Sequence, residues 1–82
     1  MIDYTRFKLI VGKLYKTKRN WYLNKDLESY SRILIEDGAV FFVLEFIGER
    51  LEGNYTKYNV YKVLYNNDVY FACLIPPAQK QF

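Results

Sequence analysis

The residues best suited to chemistry gather between Lys13 and Tyr22. Lys16-Thr17-Lys18-Arg19-Asn20-Trp21-Tyr22 sets three cations and an amide beside two aromatic rings, with Lys13 and Tyr15 just upstream. Nucleic-acid recognition uses this mixture, because cations neutralise phosphates while rings stack on unpaired bases. The competing reading is a solvated basic loop whose Trp21 packs back onto the domain, since a lone Trp in a small chain more often anchors a core.

A second constellation is the tyrosine series Tyr55, Tyr58, Tyr61, Tyr65 and Tyr70. Rigid tyrosines on a surface give contact area at little entropy cost, which suits protein binding, although sheet packing explains them as well. Candidate ligand-binding residues are therefore Tyr15, Lys16, Lys18, Arg19, Trp21, Tyr22 and Tyr61. The carboxylates Asp37, Glu45, Glu49 and Glu52 have no spacing that would hold an acid/base pair or a calcium loop, and read as a solvated face. Gly12, Gly38, Gly48 and Gly53 form no phosphate-cradling motif.

Other chemistries are excluded by composition. The chain has no His and one cysteine, Cys73, so it cannot build a zinc site, a His-activated nucleophile or an internal disulfide. No catalytic residue, cofactor or metal is expected. A lone thiol reads as a buried small hydrophobe in a reducing compartment, and the expected location is the cytoplasm. No apolar run approaches membrane-spanning length, and the N-terminus lacks a signal-peptide core.

Eighty-two residues make one domain, with 1–6 as an N-terminal arm and 78–82 as a tail. Nine Tyr, six Phe and one Trp argue for a folded chain, and more rings than a small interior can hold. The net charge of +3 hides an asymmetry. Met1 to Lys25 carries seven Lys/Arg against Asp3; Asp26 to Asn54 carries seven acids against Arg32 and Arg50. Such a division favours a polar partner unless the two stretches lie side by side.

The elements that must position these residues read as strands. Asn59 to Leu74 alternates as a hairpin about Asn66-Asn67-Asp68, residues that tolerate the positive φ of tight turns. Phe41 to Phe46 is apolar on both parities, opened by Asp37-Gly38 and closed by Gly48. Glu45 shares parity with Phe41 and Val43, which predicts a bulge nearby. Phe7, Leu9 and Val11 alternate as a strand with a kink at Gly12 before Leu14 and Tyr15, with a short helix capped by Asp3 over Tyr4–Ile10 as the alternative. Ile33-Leu34-Ile35 is a short strand. Lys16 to Ser31 and Gly48 to Lys57 read as irregular loops, and Pro76-Pro77 stops the last strand before Ala78–Phe82, a tail or a single 3₁₀ turn.

This order, and several residue runs, resemble the SH3-like barrel superfamily from roughly Leu9 to Pro77. Gly12-Lys13-Leu14-Tyr15 resembles the strand leading into a long first (RT-type) loop. Asp37 to Glu45 resembles the strand after the diverging turn, Tyr61 to Tyr65 with Val69 to Phe71 the distal hairpin, and Leu74-Ile75-Pro76-Pro77 the closing 3₁₀ turn. The Lys-, Asn- and Tyr-rich character is similar to small orphan SH3-like proteins of tailed bacteriophages, cyanophages in particular. The resemblance implies an all-β, five-stranded SH3-like barrel. It does not carry over proline-rich peptide binding: the first half of the loop is basic, Tyr61 or a neighbour stands where those domains have Trp, and no Tyr follows Pro76-Pro77. What it implies is a non-enzymatic interaction module with a protein partner, a phage accessory or structural protein in the host cytoplasm. The alternative is a single-stranded nucleic-acid binder using residues 13–22. A homodimer through edge strands fits either reading.

Overall fold

Two asparagines set the most sharply defined turn of the chain. In the computed structural model, which describes residues 1–29, 31–53 and 55–75, Asn66 and Asn67 have φ of 51° and 65°. That is the backbone of a two-residue turn whose twist matches its flanking strands. Tyr65 pairs with Asp68 across it. The hairpin predicted over Asn59–Leu74 is present, as the second half of Thr56–Tyr65 paired with Asp68–Cys73. The expected 3₁₀ turn at Pro76-Pro77 and the 78–82 tail lie outside the described residues.

Seven strands form: β1 (Ile2–Asp3), β2 (Leu14–Lys16), β3 (Trp21–Asn24), β4 (Arg32–Ile35), β5 (Val40–Glu52), β6 (Thr56–Tyr65) and β7 (Asp68–Cys73). They make one sheet in the order β2-β5-β6-β7-β3-β4, antiparallel throughout, with β1 added parallel to the start of β6. The sheet curls into a half-barrel. This is the all-β architecture of a small SH3-like barrel, with seven strands where five were expected.

The two extra pairings correct two readings. Gly48 does not close β5; it bends it. The register shifts between Val43 and Glu45, as the parity of Glu45 predicted, and again between Phe46 and Gly48. Two bulges let one thirteen-residue strand coil without breaking, so 48–57 is the tip of a second hairpin in which Gly53 takes φ 58°. The stretch expected to be an irregular first loop contains β3, which pairs with β4 from Trp21↔Ile35 to Asn24↔Arg32.

Strand parity assigns the faces. Tyr15, Trp21, Leu23, Ile33, Ile35, Phe41, Val43, Tyr61, Val63, Tyr65, Tyr70 and Ala72 point inward around one core that Leu9 and Leu74 complete. The N-terminal segment lies over this face, but not as the predicted strand or helix. Asp3 Oδ1 accepts from the Thr5 amide and hydroxyl at 2.8 and 2.6 Å, turning the chain before a helix can start. Beyond it, side chains stand in for strand partners. The Asn59 amide donates to the Thr5 and Phe7 carbonyls at 2.8 and 2.9 Å; the Tyr61 hydroxyl accepts from the Leu9 amide at 3.1 Å and the Tyr15 hydroxyl from the Ile10 amide at 2.8 Å. Leu9 thereby enters the core on a segment with no ladder of its own.

The β4–β5 turn is tied to the end of β2. The Thr17 amide donates to the Ala39 carbonyl, the Gly38 amide to the Thr17 carbonyl, and the buried Thr17 hydroxyl to the Glu36 carbonyl at 3.0 Å. No helix among the described residues is long and apolar enough to cross a membrane.

Candidate functional site: a cleft on the outward face

The same parity that fills the core sends Tyr22 and Asn24 of β3, Arg32 of β4, Arg50 and Glu52 of β5, Tyr58 of β6 and Cys73 of β7 to the outward face. Because β5 coils at its two bulges, this face is hollowed at the end that holds the β5–β6 tip. A cleft of about 810 Å³ lies there, with Leu27, Glu28 and Ser29 on one rim and Arg50 to Gly53 on the other.

The first rim is organised by Asp26. Its carboxylate accepts from the Glu28 amide (2.9 Å), the Ser29 amide (2.6 Å) and the Ser29 hydroxyl (2.9 Å). Those bonds to Ser29 and then Glu28 hold the Asp26 carboxyl below its usual range. The floor is partly apolar. Asn24 donates to the Cys73 sulfur at 3.1 Å, and burial pushes both the Cys73 thiol and the Tyr58 hydroxyl up, so both are neutral near pH 7. Arg32 places its guanidinium 4.3 Å from the centre of the Tyr22 ring. Among the described residues the ion pair is Lys57–Glu49, at 3.1 Å, so neither Arg32 nor Arg50 is neutralised by one.

Burial, with the Glu52 carboxylate adding to it, holds the Cys73 thiol protonated, and no group of three His, Cys, Asp or Glu among the described residues could hold a metal ion. Aromatic faces, two guanidinium groups and an amide offer stacking and hydrogen bonds to an anionic or polar chain.

The predicted site residues do not form one surface, because β2 and β3 alternate. Tyr15 and Trp21 turn inward against Phe41, with ring centroids 6.0 and 6.1 Å away; both are half-buried, and Lys13 sits 5.6 Å from the Tyr15 ring. Lys16, Lys18 and Arg19 are exposed but do not border the cleft. Tyr22 does, and Trp21 reaches its edge. Tyr61 is 3% exposed and belongs to the core, so its expected surface role is replaced by a structural one. Sequence reasoning missed Asn24, Arg32 and Arg50, and named Tyr58 only within the tyrosine series. The signal was available for two of them: once 48–57 is read as a hairpin, Arg50 pairs with Tyr58 across it. No protein-family model, curated protein or solved structure matches the chain.

Proposed function

We propose that the chain is a non-enzymatic interaction module, and that its cleft takes an extended, carboxylate-bearing peptide segment of a protein partner. The observation that carries this reading is the cleft itself: an aromatic and amide floor with two guanidinium groups that are in no ion pair among the described residues, set between rims that also carry Glu28 and Glu52, beside β4, an end strand of the sheet. An extended chain satisfies all three features, adding backbone bonds along β4 while its acids meet Arg32 and Arg50. A lone Cys73 and no internal disulfide agree with a cytoplasmic protein, and the residue resemblance to phage SH3-like proteins suggests an accessory or structural role in a host cytoplasm.

The test is an array of extended peptides that vary in acidic and aromatic content, followed by titration of the best binders watched by amide NMR. Shifts confined to Tyr22, Asn24, Arg32 and Tyr58, with at least tenfold weaker binding in Arg32→Glu and Arg50→Glu, are expected. Binding that maps elsewhere removes the cleft from the proposal.

One observation favours a second reading. Lys13, Lys16, Lys18 and Arg19 are all exposed and none forms an ion pair among the described residues, which leaves a basic end suited to phosphates. Single-stranded DNA and RNA titrated at low and moderate salt decide this. Binding that falls steeply with salt and is lost in Lys18→Glu supports it, and no binding at low salt ends it.

A further inference from the structure

An antiparallel sheet with one face in water ordinarily alternates apolar-in and polar-out. At the end of the sheet away from the cleft this alternation fails. The registers Leu14↔Phe42, Phe42↔Leu64 and Leu64↔Val69 align four apolar side chains in one outward row across β2, β5, β6 and β7. Leu14 is 61% exposed, Val69 45% and Leu64 38%, and Phe42 is half-buried. The row crosses three strand spacings, about 14 Å, and Val40, Leu44 and Phe71 widen it. Contiguous apolar surface of that extent on a small domain marks a contact site.

The flanking charges identify what fits it. Glu45 and Lys62 are direct cross-strand partners beside the row, and neither forms an ion pair among the described residues. Consider a two-fold axis in the plane of contact, parallel to the strands and midway between β5 and β6. It lays Phe42 over Leu64 of a second copy, Leu14 over its Val69 and Glu45 over its Lys62, each contact made twice. We propose that this face is a self-complementary interface through which two copies of the chain pack sheet against sheet. A row of four side chains is small against a standard protein interface, so a weak equilibrium is expected. The inference is independent of the peptide reading, since Arg32→Glu should leave association unchanged.

Sedimentation equilibrium from about 5 µM to about 1 mM tests it, with circular dichroism to verify the fold of each variant. The expected result is a monomer–dimer equilibrium, weakened at least tenfold by Leu14→Asp and severalfold by Glu45→Lys or Lys62→Glu alone. The double variant carrying both charge reversals should recover most of the loss. Leu14 is the most exposed of the row, so a folded variant is assured there if Leu64→Asp fails. A wild-type chain monomeric to 1 mM overturns the proposal. So does a dimer unaffected by Leu14→Asp, and single charge reversals without effect overturn the two-fold arrangement.

Discussion

The two faces of this sheet are built from the same strands and obey different rules. On the inward face each large side chain meets another large side chain, and even the covering N-terminal segment has its backbone groups taken by Asn59, Tyr61 and Tyr15. On the outward face Leu14, Val69 and Leu34 stand in solvent, and among the described residues Arg32 and Arg50 are in no ion pair, although Tyr58 and Val60 are buried there. What is finished inside is left largely open outside. Stability therefore resides mainly in one face and binding capacity in the other, so substitutions should separate the two properties.

The largest expected effect comes from breaking the inward face at Phe41. Its ring is 1% exposed and packs against Tyr15 and Trp21. Phe41→Ala should lower unfolding stability by about 3–5 kcal/mol in urea melts, enough to unfold a large fraction of so small a domain. A loss below about 1 kcal/mol would show that the core is not centred there.

Next is the side chain that fastens the covering segment. Asn59 is 2% exposed and donates to two carbonyls more than fifty residues away in sequence. Asn59→Ala leaves both carbonyls without their partner and should cost about 2 kcal/mol. Its signature differs from that of Phe41→Ala: hydrogen exchange should rise first at Leu9 and Ile10 while β6 and β7 stay protected. Uniform loss of protection would mean that the segment is integral to the sheet and does not lie over it.

This contrast also explains what could be read in advance. The Asn59–Leu74 hairpin was legible because alternation and turn chemistry are local, and the bulge near Glu45 because a parity conflict is local too. The role of the N-terminal segment was not. Phe7, Leu9 and Val11 alternate as in a strand, yet the Phe7 carbonyl and the Leu9 and Ile10 amides bond to side chains on β6 and β2 that no local pattern reveals. β3 was hidden for another reason: four residues are too few to show a period, and only its partner β4 defines it. The cleft was the least legible feature, because its residues run from Trp21 to Ile75 and meet only when β5 coils. The basic and aromatic stretch divides because alternation sends Tyr15 and Trp21 inward, Trp21 as the core-anchor reading had it, while Lys16 and Tyr22 face out.

On the outward face the prediction inverts. Arg32→Ala removes an exposed guanidinium over Tyr22 and should change stability by no more than about 0.5 kcal/mol. It should nonetheless weaken peptide capture in the cleft at least fivefold in the array assay. A stability loss as large as that of Asn59→Ala would place Arg32 among the groups that hold the fold, and erase the division between the faces.

The smallest effect sharpens the comparison at the one place where the faces share chemistry. Burial pushes the thiol of Cys73 and the hydroxyl of Tyr58 up in the folded chain, whereas both ionise in their ordinary ranges once unfolded. The unfolded state thus releases these protons first as pH rises. The stability linked to them is complete below the ordinary thiol range and is lost as pH climbs through it towards the raised folded values. Urea midpoints should hold steady around neutrality and then fall between about pH 8 and about pH 10. Cys73→Ala abolishes the thiol's share, so its decline should be shallower even if the lost Asn24 bond lowers its starting value. Comparing slopes and not absolute stabilities isolates the titration. Equal slopes in the two proteins would show that Cys73 ionises alike folded and unfolded, and that the cleft floor is wetter than its packing indicates.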